Sequence, residues 1–234
     1  MSVVETQLTL RLSPQEIYRL DNFLFAKQET KQALSLFCQL EQLDFLFLAG
    51  EQGTGKTHLL IACAEAVQQK GHRVAYIAFS ELIKTGSPDV LQSIEEADLI
   101  CFDDIDAISG HKHWEEAVFH CFNRIHDKKR HLIASAQYTP SNIPIVLPDL
   151  CSRLATGLVY QLDTMNDDQK QQALKLQSAS RGLRMSDEVA VYLLRHYGRD
   201  MPHLMDVLHS LDKASLEAKR KLTIPFIRQV LANA

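Results

Sequence analysis

The chain has 234 residues, 46% hydrophobic and 23% charged, with 25 lysines and arginines against 29 acids. This length allows one large domain or a domain with a small satellite, and the composition excludes wholesale disorder. A formal net charge of −4 excludes attachment to nucleic acid by bulk positive charge. No apolar run approaches the roughly 18 residues of a membrane span, and the first residues lack the pattern of an export signal, so a cytoplasmic protein is expected. The five cysteines (Cys38, Cys63, Cys101, Cys121 and Cys151) form no CxxC pair and are expected to be buried reduced thiols.

Residues 1–20 form an arm with no evident place in a sheet. Strands are predicted at Phe45–Ala49, Val74–Phe79, Leu99–Phe102, His131–Ser135 and Leu158–Leu162, with helices at Lys56–Gln69, Ser80–Ile94 and Trp114–Lys128 between them. Strand and helix alternate, and the strands are near-continuous apolar runs. That pattern predicts an α/β fold with a parallel five-stranded sheet sandwiched by helices. After about Thr164 the strand signals stop. Asn166 with Gln169 reads as a capping box opening a helix that ends at Gly182. Ser186 opens another that stops at Gly198, a third runs from about Met201 to Lys219, and Thr223 with Pro225 begins the last. The expected organisation is an arm (1–20), an α/β core (21–164) and a small helical domain (165–234).

The strongest motif is Gly50-Glu-Gln52-Gly53-Thr54-Gly55-Lys56-Thr57, a complete phosphate-binding loop after a strand and before a helix. Its glycines let backbone N–H groups curl around phosphate oxygens, and the helix N-terminus favours negative charge. Lys56 would reach the β- and γ-phosphates, and the Thr57 hydroxyl would ligate Mg²⁺. Leu99-Ile-Cys-Phe-Asp103-Asp104 then supplies carboxylates at the C-terminal end of a buried strand, where ligands of parallel sheets bind. Asp103 is the metal-side acid, and Asp104 is placed to orient an attacking water.

The nucleotide core followed by a helical domain, with Ser152-Arg153-Leu154 just before the fifth strand, resembles the AAA+ family. Within it the motifs resemble the initiator branch around the bacterial replication initiator DnaA. Asp21-Asn22-Phe23 looks like that branch's segment beside the adenine, and Gly53-Thr-Gly-Lys-Thr-His58-Leu-Leu60 like its loop exit. Leu147-Pro-Asp-Leu-Cys-Ser-Arg153-Leu looks like its arginine-finger box. Leu211-Asp-Lys-Ala-Ser215 and Leu222-Thr-Ile-Pro-Phe226 are similar to the short DnaA-related regulators that inactivate the initiator after firing. The resemblance implies ADP or ATP with Mg²⁺ as ligands, Asn22, Phe23 and His58 at the nucleotide, and Arg153 offered in trans to ATP on DnaA. It also implies that Gln7-Leu8-Thr-Leu10-Arg-Leu12 is the motif by which such proteins attach to the replicative sliding clamp. Alternating leucines in an extended arm suit a hydrophobic groove. Association with the nucleoid would then come through the clamp; a homodimer stays open, and direct DNA contact would be weak or indirect.

The sequence departs from the family at two places. The first sensor position reads Ser135-Ala-Gln137-Tyr138, so Gln137 or Ser135 must serve. The second sensor, an arginine in the family, aligns with Pro202 in Arg199-Asp-Met-Pro202-His, with Arg199 as a neighbour able to substitute. This weakens a self-sufficient ATPase and suits a stable ADP-bound form. His111 and His113 beside Trp114 lack a third ligand and read as a surface loop. Lys128-Lys-Arg130 reads as a cationic helix end. No DNA-reading helix-turn-helix is expected after the helical domain. The competing function is an autonomous AAA+ ATPase of helicase-loader or transposition-helper type; a third reading makes the nucleotide a purely structural ligand.

Overall fold

A computed structural model describes residues 18–218 and 220–232. The four arm positions singled out above, Gln7, Leu8, Leu10 and Leu12, lie outside the described residues. The chain divides into two compact units. One runs from Lys27 to Asp163. The other joins residues 18–26 to the chain from Thr164 onward, so the segment around Asn22 belongs with the C-terminal helices.

The first unit is a five-stranded, all-parallel sheet. Its strands are β1 (Phe45–Ala49), β2 (Val74–Ala78), β3 (Leu99–Asp103), β4 (His131–Ala136) and β5 (Leu158–Gln161), in the order β2-β3-β4-β1-β5. The central strands β3 and β4 are buried throughout, and β5 at the edge is largely exposed. That is why β3 and β4 read as unbroken apolar runs. The register places Ala78 beside Asp103, Phe102 beside Ala134 and Ala49 beside Ala136. The C-terminal ends of four strands therefore lie side by side.

The helices of this unit are α1 (Gln28–Phe37), α2 (Lys56–Gln68), α3 (Phe79–Thr85), α4 (Lys112–Asp127) and α5 (Pro148–Leu154). α2 is buried on nearly all sides, from Leu59 through Ala64. Against the sheet lies an aromatic cluster in which the Phe79 ring meets Phe102 at 5.3 Å and Trp114 at 6.2 Å, both edge-on. The helix expected over Ser80–Ile94 is cut short at Thr85. Gly86 follows, and Pro88 forces Ser87 into extended geometry (φ −112°, ψ 149°), so the rest forms two short 3₁₀ turns. Two helices, α1 and α5, lie where none was predicted. α1 buries Thr30, Ala33, Leu34 and Phe37, a helical stripe, and α5 opens with Pro148 at its first position.

The second unit contains α6 (Asp167–Ser180), α7 (Asp187–His196), α8 (Met201–Ala218) and α9 (Ile224–Leu231). The capping signals match these starts. Asn166 and Gln169 form a reciprocal capping box, Ser186 accepts from Val189 N, and Thr223 accepts from Phe226 N. Gly182 follows α6 at φ +75°, a left-handed stop that suits glycine. Leu193, Leu204, Leu208, Leu211 and Ile227 are fully buried at the centre. All five cysteines are free thiols; four are buried and Cys151 is half-buried.

At the end of the sheet where the strands begin, Asp98 gathers three of them. Its Oδ2 accepts the Arg73 backbone N–H at 2.9 Å and its Oδ1 accepts Arg130 Nη1 at 3.0 Å. Its backbone carbonyl accepts His131 N at 3.2 Å. The Arg73 N–H first, then the Arg130, Arg73 and His72 charges, hold the Asp98 carboxyl below its usual range. A lowered folded pKa contributes stability above the ordinary carboxylate value, and that contribution is lost as pH falls. Asp98→Ala is expected to cost about 1 kcal/mol at neutral pH, the usual worth of such bonds on a partly exposed group. In urea titrations the gap to the parent should close below about pH 4; a gap that persists in acid would place its source elsewhere.

Candidate functional site

Gly50–Gly55 link β1 to α2 and turn tightly enough that only glycine fits at key points. A Cβ on Gly50 would meet the Leu162 carbonyl oxygen at 2.8 Å, and Gly53 and Gly55 stand at φ +81° and +91°. Thr54 N and Oγ1 both donate to the Glu51 carbonyl, at 3.3 and 2.8 Å, closing the turn. Lys56 is 6% exposed, and its Nζ donates to the carbonyls of Gly50 (2.8 Å) and Glu51 (3.1 Å). Its charge is thereby held within the loop. Gln52 is exposed on the turn, and His58 lies in the first turn of α2.

Across from the loop, Asp103 ends β3 with 4% exposure. Its Oδ2 accepts Thr57 Oγ1 at 2.8 Å and the Tyr76 hydroxyl at 2.7 Å, and its Oδ1 accepts Ser135 Oγ at 2.5 Å. Ser135 Oγ in turn accepts the Asp104 backbone N–H at 2.9 Å. The structure joins Thr57 and Asp103, brings the candidate sensor Ser135 to the same carboxylate, and adds Tyr76, which the sequence did not single out. Burial, then the Asp103 charge, pushes the Tyr76 phenol far above its usual value, so it remains a donor. Asp104 adopts the left-handed conformation at φ +51°. Burial raises its carboxyl and Asp103 adds to that, while Lys56 pulls the other way.

Thr57 and Asp103 are hard oxygen donors on neighbouring elements, the set that suits Mg²⁺ when phosphate oxygens complete its shell. Among the described residues no cluster of three or more His, Cys, Asp or Glu forms a metal site, His111 and His113 included.

Other predicted residues fall as follows. Ser135 is fully buried against Asp103, whereas Gln137 is exposed and engaged through its backbone N–H to Asp106 Oδ2 at 3.2 Å. Asn22 is buried in the helical unit, where its carbonyl accepts Gln177 Nε2 at 2.7 Å; Phe23 follows it. Pro202 sits in the first turn of α8, the turn where proline is tolerated. Arg199 just before that helix is exposed and pairs with Asp167 at 3.5 Å. Arg153 is exposed in the last turn of α5. Among the described residues it forms no ion pair, with Asp149 one turn back included.

A parallel sheet of this order, with a phosphate loop leaving β1, paired acids ending β3 and a helical unit after β5, defines an AAA+ nucleotide-binding protein. Residues 15–161 match the family described as the bacterial DnaA ATPase domain, and residues 167–231 match the one described as Hda, lid domain. The chain belongs to the DnaA-related AAA+ family and is of the Hda type. An uncharacterized protein of Haemophilus influenzae is 41% identical over 188 residues, which cover 80% of this chain and 81% of that one. Domain III of the replication initiation protein DnaA from Thermotoga maritima superposes with a TM-score of 0.76 at 20% identity, covering 96% of this chain and 98% of that one. AMPPCP-bound DnaA from Aquifex aeolicus does so with 0.70 at 24% identity, over 89% and 69% of the two chains. These two structures share the fold. No helix among the described residues is long and apolar enough to cross a membrane.

Loss of the loop cation tests the site directly. A ligand at a hundred times its Kd stabilises a folded protein by about 2.7 kcal/mol. Lys56→Ala should lose that thermal shift with ADP and with ATP while its melting without nucleotide stays near the parent's. An undiminished shift would remove Lys56 from the phosphate site.

Proposed function

We propose that this chain binds adenine nucleotide with Mg²⁺ and regulates replication initiation by activating ATP hydrolysis on DnaA. The observation that carries the reading is Arg153: exposed, in no ion pair among the described residues, and at the end of the helix that leads into β5. An exposed charge at such a point suits delivery to another molecule's phosphate. The match of the helical unit to the Hda lid supports the regulatory branch, and the AMPPCP held by the Aquifex DnaA supports an adenine nucleotide here. Thr57 and Asp103 would hold Mg²⁺, which would screen the phosphate charge. The arm motif Gln7-Leu8-Thr-Leu10-Arg-Leu12 would attach the chain to the DNA-loaded sliding clamp and so confine its action to replicated DNA. Lys56 and the loop N–H groups bind the phosphates, while Arg153 acts on the partner's nucleotide, where an arginine stabilises charge developing on the transferred phosphoryl group.

The intact phosphate loop with Asp103 and Asp104 also supports a second reading, an autonomous ATPase of helicase-loader or transposition-helper type. ADP formation by this protein alone, against ADP formation with ATP-loaded DnaA and clamp-loaded DNA, separates the two.

Arg153→Ala should keep its fold, its ADP affinity and its clamp binding, yet lose stimulation of DnaA by about 10³-fold or more, the scale of arginine fingers supplied in trans. Lysine should rescue poorly for want of the planar fork. Stimulation equal to the parent's would rule out the trans-acting arginine.

Deleting residues 1–12 should abolish clamp capture and leave ADP affinity unchanged, since each leucine leaving a groove loses roughly 1.5–3 kcal/mol. Clamp pull-down at parental strength would assign attachment to another surface.

A further inference from the structure

An arginine that works in trans is only as well placed as the helix presenting it, and α5 has seven residues. A helix so short does not hold itself in water; its position comes from what it packs against. Leu150 and Leu154 are fully buried and secure one side. The N-terminal end has no local solution. Pro148 at the first position has no N–H, and Leu147 at the N-cap offers no side-chain oxygen.

Glu115, in the first turn of α4, secures that end instead. Its Oε2 accepts Leu147 N at 2.8 Å and Val146 N at 3.1 Å; its Oε1 accepts Val146 N at 3.1 Å and Gly110 N at 2.8 Å. The side chain is 2% exposed and, among the described residues, has no cation beside it. A buried carboxylate without a cation is costly. Backbone donors and the N-terminal turn of α4 offset the cost. One side chain thus fastens the loop before α4 to the two residues that lead into α5. Burial does not hold that lead-in at Val146, whose side chain is 72% exposed.

We infer that Glu115 is the positioning residue for Arg153: by fixing the entry to α5 it sets where the guanidinium stands when the partner's nucleotide docks. The inference rests on the trans-acting reading of Arg153. Glutamine has nearly the same shape but a single acceptor oxygen, and its NH₂ would face backbone N–H groups. It would loosen the entry without emptying the site. Displacement of a reacting group by about 1 Å costs on the order of 10²-fold in rate.

The test measures stimulation of ATP hydrolysis by ATP-loaded DnaA on clamp-loaded DNA, with the full chain as parent, Glu115→Gln, Arg153→Ala and the double variant. Thermal unfolding and ADP affinity verify each fold. Val189→Ala, which opens a cavity in the helical unit, serves as a destabilised control that keeps its stimulation. Glu115→Gln is expected to keep ADP affinity and half-saturating concentration within about two-fold and to lose roughly ten- to a hundred-fold of maximal stimulation. In the Arg153→Ala background it should cause no further loss, because it acts through that residue. Should Glu115→Gln not fold, Val146→Pro removes one donor, leaves the carboxylate in place and carries the same comparison. Parental stimulation by the Glu115 variant, or an additive loss in the double variant, overturns the positioning role while the Arg153 reading stands. Parental stimulation by Arg153→Ala overturns both.

Discussion

The carboxylate of Asp103 accepts three hydroxyl groups, from Thr57, Tyr76 and Ser135, and with them draws α2, β2 and β4 onto the end of β3. It is almost fully buried, so each lone pair left without a donor would cost free energy. The donors come from three separate elements and converge only while β2, β3 and β4 hold their parallel register. Thr57 is also the second residue of α2, next to Lys56. The same contact therefore couples the acid at the sheet's end to the loop that receives phosphate. The geometry of the loop relative to the sheet's end depends on that junction.

Asp103 and Glu115 are both nearly buried carboxylates, but they are satisfied differently. Asp103 takes side-chain hydroxyls, which can rotate away and leave its oxygens to a metal's water shell. Glu115 takes backbone N–H groups from Gly110, Val146 and Leu147, which have nowhere else to turn. One junction rests on rotatable hydroxyls and the other on fixed backbone groups. The first lies where the chain would meet its own nucleotide, the second behind the arginine that would meet another molecule's.

The helical unit relies on local chemistry. α6, α7 and α9 each begin at a side-chain cap, and α8 accepts Pro202 because it falls in the first turn. Among its polar ties, Gln177 Nε2 donates to the Asn22 carbonyl, which recruits residues far upstream into the unit. No local pattern in residues 18–26 announces that partner.

Local codes determined much of this protein from sequence alone. β1 spans the predicted residues, the three caps fall where side-chain oxygens precede apolar periodicity, and the phosphate loop is written in glycines whose backbone angles only glycine adopts cheaply. Thr57 and Asp103 were legible because motif spacing and strand polarity bring both to one end of a parallel sheet. Tertiary structure alone decided the rest. Tyr76 lies inside an apolar run, and its hydroxyl acquires meaning only when the neighbouring strand sets it beside Asp103; between the sensor candidates Ser135 and Gln137, packing puts Ser135 on that carboxylate. α5 is too short to declare itself by periodicity, and a carboxylate 31 and 32 residues away from Val146 and Leu147 holds its entry. Glu115 itself reads as an ordinary first-turn acid of a helix. Its role follows from a chain reversal that brings distant N–H groups to it, which no window of sequence contains.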